Sequence, residues 1–125
     1  MPGKMTPEEV LNSVTEGINT RDLDSLMTLY EPLACFASQP GQLAKSPDGI
    51  RQCLRNFIDM NGKLELKVKR VLKTNDLALV TTEWSFKGTD SDGKHVYMSA
   101  KSADVLRQQP DGTWRFVIDN PWGTD

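Results

Sequence analysis

The sequence has few cysteines and histidines and no long apolar run. Its 125 residues include two cysteines, Cys35 and Cys53, and one histidine, His95. Two cysteines this far apart exclude a disulfide framework and a CxxC zinc site, so we expect two reduced, packed thiols in a cytoplasmic protein. One histidine without Asp, Glu or Cys at ligand spacing predicts no metal site. No apolar stretch approaches the ~20 residues of a membrane span, and nothing resembles a signal peptide, so no membrane is expected as a partner.

A strong excess of one charge is also missing. The formal net charge is -2, which gives no electrostatic reason to expect nucleic acid as a partner. The basic stretch between Lys63 and Lys73 lacks an exposed aromatic platform for bases and is typical of a solvated strand. No glycine-rich phosphate loop or nucleophile elbow is present, so we expect neither a nucleotide cofactor nor covalent serine chemistry. The length and composition predict a single domain over residues 1–125.

Helix signals dominate the first half of the chain. Thr6-Pro7 and Ser46-Pro47 each place a capping hydroxyl before a proline, which is typical of a helix start. The apolar residues Val10, Leu11, Val14 and Ile18 follow the first start at helical spacing, and Ile50, Cys53, Leu54, Phe57 and Ile58 follow the second. Asp22 caps a shorter helix between them, which Pro32 is expected to end. Asn61-Gly62 closes the third helix.

Strand signals follow Gly62. Leu64, Leu66 and Val68 alternate with charged residues, and turn residues at 74–76, 88–93 and 110–112 separate four strands. A short apolar run, Leu33 to Ser38, adds one more. Helices first and strands later predict an α+β fold: three N-terminal helices packed on a strongly curved antiparallel sheet. The outward face of this sheet is apolar enough that we expect a homodimer through it.

Two aspartates stand out on the last hairpin because each has apolar neighbours. Asp104 shares a strand face with Ser102 and Leu106, and Asp119 is expected to share one with Val117. A buried carboxylate is costly unless it is paired or its pKa rises, so both acids are candidates for chemistry. Two structural alternatives remain open. Asp104 can pair with Arg107, Arg115 or a helix terminus, and Asp119 can cap a turn at Asn120-Pro121.

The order of elements resembles the SnoaL-like and ketosteroid isomerase-like group of the nuclear-transport-factor-2-like superfamily, whose fold is a cone-shaped, cystatin-like α+β barrel. Three stretches carry the resemblance: Gly17 to Tyr30 with its Asn-x-x-Asp-Leu-Asp pattern, Ala34 to Gly41 with Gly49-Ile50-Arg51, and the Asp104-to-Arg107 and Asp111-to-Arg115 hairpin. The superfamily includes isomerases, cyclases, dehydratases and proteins without catalytic activity, so the resemblance implies a fold more than a reaction.

The resemblance also implies site residues. The positions of the steroid isomerases' aspartate base and oxyanion-hole tyrosine fall at Ser38 and Val14, so both groups are replaced. Their second, protonated acid falls near Asp104 (ketosteroid isomerase is the standard case of such pKa tuning). Asp119 occupies a pocket-facing position that is usually apolar in the isomerases. We therefore predict an acid/base pair of Asp104 and Asp119 in a pocket. Its predicted walls are Val14, Ile18, Tyr30, Phe36, Ser38, Cys53, Phe57, Val80, Thr82, Trp84 and Val117.

Two functions remain open from the sequence. The first is a small-molecule pocket with cofactor-free acid/base catalysis of the isomerase, cyclase or lyase type on a small apolar or carbonyl-containing substrate. The second is a non-catalytic ligand-binding or dimerisation module of the same fold, which the replacement of the isomerase base and tyrosine favours.

Overall fold

Each helix begins behind a capping side chain that the sequence places there. The computed structural model describes residues 6–123. Thr6, Asp22 and Ser46 each accept a hydrogen bond from the backbone N–H three residues later, at distances of 3.0 to 3.2 Å. The helices of this part of the chain are α1 (Pro7–Asn19), α2 (Leu23–Met27) and α3 (Pro47–Asp59). The predicted helix starts are therefore confirmed.

The second helix is shorter than predicted. It ends at Met27, and Pro32 lies inside strand β1 (Tyr30–Gln39) instead of ending the helix. The pairing of β1 with its parallel neighbour is irregular between Tyr30 and Cys35, and Pro32, which has no N–H to donate, lies in this interval. A short apolar run fits a helix and a strand equally well, which is why the spacing suggested one longer helix.

Six strands of residues 6–123 form one sheet in the order β2-β1-β6-β5-β4-β3. The remaining strands are β2 (Gln42–Ala44), β3 (Lys63–Thr74), β4 (Leu77–Thr89), β5 (His95–Gln108) and β6 (Trp114–Asp119). The predicted antiparallel meander runs from β3 to β6. The sheet as a whole is mixed, however, because β1 pairs with β6 in parallel. No hairpin joins these two strands, so turn geometry does not fix their relative direction.

The end of α3 shows why glycine follows it. Asn61, with φ of 50°, adopts the left-handed conformation that ends the helix, a role expected of Gly62. Gly62 is instead required by a close approach, because a Cβ there would lie 2.0 Å from the carbonyl oxygen of Lys87.

The side chain of Asn19, at the end of α1, holds the start of β3. It exchanges two hydrogen bonds with the backbone of Leu64, at 2.7 and 3.0 Å.

An irregularity in β6 decides which residues face the helices. Val105 is paired with Ile118 and Leu106 with Phe116, which leaves Val117 as an extra, bulged residue. Phe116 and Asp119 are buried on the inner face, whereas Val117 is only half-buried. The expectation that Val117 and Asp119 share a face by simple alternation is therefore wrong, because the bulge shifts the alternation between them.

The outer face of the sheet carries an apolar row that crosses five strands. Successive pairings join Leu72 to Leu79, Leu79 to Val105, Val105 to Ile118 and Ile118 to Cys35. Directly paired residues lie on the same face of a sheet, so these five side chains form one line, here called the outer row. Leu72 is 55% exposed and Leu79 is 41% exposed. Helices α1 and α3 cover the opposite, inner face.

Candidate functional site

A cavity of about 70 Å³ lies between the inner face of the sheet and helices α1 and α3. Its walls are apolar except along one strip that contains Thr82, Ser102, Asp104 and Asp119. The apolar lining residues are Leu11, Val14, Ile18, Phe36, Leu54, Phe57, Leu64, Leu66, Trp84, Phe86, Phe116 and Pro121. Apolar walls with a few convergent polar groups are typical of small-molecule pockets.

The register of the last hairpin places the two acids next to each other. Val105 is opposite Ile118 on the outer face. Asp104 precedes Val105 and Asp119 follows Ile118, and because the two strands are antiparallel these acids are opposite each other. Both point inward and line the same cavity. Asp104 is 1% exposed and Asp119 is 8% exposed. The ion pair with Arg107 that the sequence left open for Asp104 does not form, because Arg107 pairs with Glu31 at 3.0 Å.

Asp104 accepts two hydrogen bonds from its surroundings. The backbone N–H of Asn120 donates to Oδ1 at 2.8 Å, and the Ser102 hydroxyl donates to Oδ2 at 3.0 Å. Ser102 is itself 2.6 Å from the hydroxyl of Thr82 on the neighbouring strand. Hydrogen bonds therefore connect Thr82, Ser102 and Asp104 across β4 and β5, and they hold Asp104 in one orientation.

Asp119 is held from the other side by Tyr30. The Tyr30 hydroxyl donates to Oδ2 of Asp119 at 2.5 Å, and the Tyr30 ring stacks on Phe116 with a centroid distance of 5.0 Å. Burial and the charge of Asp119 keep the pKa of Tyr30 well above its ordinary value. The phenol therefore stays protonated and remains a donor to the carboxylate.

Burial raises the pKa of both acids, but unequally. Desolvation raises the pKa of Asp119 to about 6, although hydrogen bonds from Tyr30 and Asp104 oppose the rise. Desolvation and the charge of Asp119 hold the pKa of Asp104 well above its ordinary value, against the hydrogen bonds from Asn120 and Ser102. Two neighbouring buried carboxyls do not both ionise readily, so the pair shares one proton near neutral pH. The Tyr30 hydroxyl donates to Asp119, and the charge of Asp119 raises the pKa of Asp104, so this arrangement favours the proton on Asp104 and the charge on Asp119.

Eight of the predicted site residues line the cavity. Besides the two acids they are Val14, Ile18, Phe36, Phe57, Thr82 and Trp84. Val14, the residue at the position of the isomerase tyrosine, is a half-buried part of the apolar wall. This position therefore provides an apolar wall and no hydrogen-bond donor.

The other predicted wall residues lie elsewhere. Tyr30 lies behind Asp119, and Val80, fully buried, is paired with Asp104 within the sheet. Cys53 lies on α3, close enough to Asp119 that burial and this charge raise the pKa of its thiol. Ser38, at the position of the isomerase base, lies near the end of β1, with its hydroxyl 3.5 Å from the carbonyl oxygen of Gln42. Val117 is the bulged residue of β6.

Several lining residues were not predicted. Ser102 alternates with Asp104 along β5, and this shared face was the signal that could have identified it. Pro121 follows β6, and its carbonyl oxygen accepts a hydrogen bond from the indole N–H of Trp84 at 2.7 Å. The remaining unpredicted residues are Leu11, Leu54, Leu64, Leu66, Phe86 and Phe116. They belong to the core pattern, and the sequence does not distinguish core from cavity wall.

The described chain offers neither a metal cluster nor a membrane helix. No group of three or more His, Cys, Asp or Glu residues in 6–123 is arranged to hold a metal ion. Within the same residues, no helix has the length and apolar character needed to cross a membrane. Cys35 and Cys53 are free thiols.

A curved mixed sheet covered by three helices, with an acid-bearing cavity between them, defines the cone-shaped α+β class of the nuclear-transport-factor-2-like superfamily. The SnoaL-like domain profile matches residues 11–117, and the chain belongs to this family. The predicted family and fold class are confirmed. None of the curated proteins compared with the sequence matches it.

Solved structures share the fold at low sequence identity. A ketosteroid isomerase-like protein from Erwinia carotovora atroseptica has a TM-score of 0.76 and 17% identity, with 90% of this chain and 88% of that chain covered. A hexachlorocyclohexane dehydrochlorinase of type 2 has a TM-score of 0.78 and 14% identity, with 90% and 79% covered. A nuclear transport factor 2-like protein from Salmonella enterica has a TM-score of 0.74 and 20% identity, with 94% and 87% covered. At these identities the likeness establishes the fold alone.

Proposed function

We propose that this protein binds a small apolar or carbonyl-containing molecule in the cavity and transfers a proton to or from it without a cofactor. Asp119 is the general base, and Asp104 is the neutral acid that donates a hydrogen bond. The observation that carries the proposal is the pair of adjacent buried acids in an otherwise apolar cavity. Their surroundings raise the pKa of both and favour different protonation states for the two.

The chemistry follows from these protonation states. A general base works best when its pKa is near the operating pH, and Asp119 has a pKa of about 6. A protonated Asp104 next to it stabilises negative charge that develops on a carbonyl oxygen when the neighbouring C–H bond loses its proton. The apolar walls exclude water and strengthen both interactions. The reaction class is therefore isomerase-, cyclase- or lyase-type proton transfer.

Two of the similar structures support this class of reaction. One is named an isomerase-like protein and the other a dehydrochlorinase. Both proteins share the fold of this chain, which supports the cavity between the sheet and the helices as the location of the chemistry.

The experiment is hydrogen–deuterium exchange at carbon. Small ketones such as cyclopentanone are incubated with the protein in D₂O at pH 7, and loss of the α-proton signal is followed by NMR. We expect the wild type to accelerate exchange, Asp119→Asn to remove the acceleration and Asp104→Asn to reduce it. Asp92→Asn, which changes an exposed acid in the turn between β4 and β5, is the matched control and keeps full activity.

The result that contradicts the proposal is equal exchange in the wild type and in Asp119→Asn. A wild type that does not exceed the rate in buffer over a panel of small linear and cyclic ketones contradicts it as well.

The second candidate function is assembly, which the outer row favours. An apolar line across five paired strands, flanked by Leu33 at 93% exposure, is unusual for the free surface of a monomer. We propose that a second copy of this chain covers it, because two copies of the same apolar face can pair about a two-fold axis. This interface leaves the cavity on the opposite face accessible, so assembly and ligand binding are compatible. We also propose a cytoplasmic location, in which both free thiols stay reduced.

A further inference from the structure

We propose that the cavity also binds small apolar amines in their protonated form, with the ammonium group against Asp119. This inference rests on the proposed function only in treating the cavity as a ligand site, and it does not require turnover. The proposed ligand donates hydrogen bonds and carries a positive charge, unlike the carbonyl compounds considered above.

The N–H and O–H donors in and directly behind the cavity wall are already used within the protein. The indole N–H of Trp84 donates to Pro121, and the backbone N–H of Asn120 donates to Asp104. The Tyr30 hydroxyl donates to Asp119. The Ser102 hydroxyl donates to Asp104, and the hydroxyls of Thr82 and Ser102 share one hydrogen bond. A ligand that only accepts hydrogen bonds therefore finds one donor here, the proton of Asp104, and must take it from the hydrogen bond to Asp119.

In contrast, several oxygen atoms of the cavity wall can still accept hydrogen bonds. A carboxylate has about four lone-pair positions. On Asp119, Tyr30 occupies one of them and the neighbouring Asp104 a second. The hydroxyls of Thr82 and Ser102 bond to each other and retain free lone pairs. An ammonium group has three donors and no acceptor, so it matches what this part of the wall offers.

The charges and rings of the cavity favour the same ligand. Of the described residues that line it, none is Lys, Arg or His, so no side chain there neutralises Asp119. Five aromatic side chains line the same space, namely Phe36, Phe57, Trp84, Phe86 and Phe116. Aromatic faces attract cations, most strongly where water is excluded. An anionic ligand would meet a buried negative charge with no partner and is therefore excluded.

The experiment compares three probes of similar shape and different charge. Isobutylammonium, isobutanol and isobutyrate are titrated into ¹⁵N- and methyl-labelled protein at pH 7.5, and binding is read from shifts of cavity resonances. We expect isobutylammonium to bind about tenfold or more tightly than isobutanol and isobutyrate not to bind. Asp119→Asn is expected to remove the preference for the amine, whereas Asp92→Asn keeps it.

A pH series on the wild type provides a second measurement that needs no variant. The titratable groups near Asp119 are Tyr30 from β1, Asp104 from β5 and Cys53 from α3, and α1 contributes only apolar residues to the wall. Asp119 has a pKa of about 6, so the ionised fraction rises from about 0.1 at pH 5 to nearly 1 at pH 7.5. An aliphatic amine stays protonated over this range. Amine affinity should therefore rise about tenfold between these two pH values.

The inference is overturned if isobutanol binds as tightly as isobutylammonium, or if amine affinity is the same at pH 5 and pH 7.5. Its failure is distinguishable from failure of the proposed function. Deuterium exchange into ketones without amine binding would leave the proposed function in place and remove this inference. Amine binding without deuterium exchange would support this inference and contradict the proposed function.

Discussion

Replacing Tyr30 with phenylalanine tests the electrostatics of the site with little change in packing. Phenylalanine keeps the ring that stacks on Phe116 and removes only the hydroxyl, which lies 2.5 Å from Asp119. A hydrogen bond to a charged group contributes about 1.5–3 kcal/mol, and one to a neutral group contributes about 1 kcal/mol. The loss of stability should therefore be about 1–1.5 kcal/mol greater when Asp119 is ionised than when it is protonated. This difference corresponds to a rise of about one unit in the pKa of Asp119.

The sign of the pH dependence follows from the pKa of Asp119. Its folded value of about 6 lies above the ordinary value of ~3.9 in the unfolded chain. Below pH 4 Asp119 is protonated in both the folded and the unfolded chain, and the free energy of unfolding is at its full value. As the pH rises through 6 the free energy of unfolding falls by about 3 kcal/mol in total, because the unfolded chain ionises more easily. In Tyr30→Phe the pKa is higher, so the loss is larger and extends to higher pH.

The assay is urea unfolding at pH 4.5 and pH 8 of the wild type, Tyr30→Phe and Tyr97→Phe. Tyr97, which is 62% exposed, is the matched control and should behave as the wild type does. We expect Tyr30→Phe to lose about 1 kcal/mol at pH 4.5 and about 2–3 kcal/mol at pH 8. An equal loss at both pH values would refute the argument, because it would mean that the hydroxyl does not stabilise the ionised form of Asp119.

Three further predictions concern other parts of the molecule. Asp104→Asn should convert the coupled titration of the acid pair into a single step, as measured by carboxyl ¹³C NMR, and two remaining steps would contradict the pairing. Leu79→Lys, in the outer row, should produce a monomer in sedimentation at micromolar concentration where the wild type is a dimer; a monomeric wild type would exclude the proposed interface. Gly62→Ala should destabilise the fold by about 1–3 kcal/mol in thermal unfolding, because its Cβ would meet the Lys87 backbone. Gly49→Ala, on helix α3, should cost less, because the atoms nearest to its Cβ would be side-chain atoms of Ser46 and Ala44, at 3.2 and 3.3 Å.

Local signals determined how much of the fold could be predicted. Capping residues and proline positions identified the helix starts at Thr6, Asp22 and Ser46, because these depend on contacts within four residues. The parallel pairing of β1 with β6 joins residues that are more than 80 positions apart, such as Tyr30 and Phe116. No local pattern encodes such a pairing, so the mixed sheet could not be predicted.

The candidate site was suggested by its two acids and not by the residues that hold them in place. Asp104 and Asp119 were conspicuous because carboxyls are unusual between apolar residues, and both line the cavity. The bulge at Val117 was not visible in the sequence, although it is what brings Asp119 to the inner face beside Phe116. Tyr30 was expected in the cavity wall, but its role as the hydrogen-bond donor to Asp119 depends on the long-range pairing of β1 with β6.

The measurement that tests the account most directly is the pH titration of the two carboxyl groups in the wild-type protein. Selective ¹³C labelling of aspartate, with Asp104→Asn and Asp119→Asn for assignment, gives the titration curve of each side chain. We expect Asp119 to titrate near pH 6 and Asp104 to stay protonated well above the ordinary range. Titration of both carboxyls near ~3.9, the value for an exposed aspartate, would contradict it.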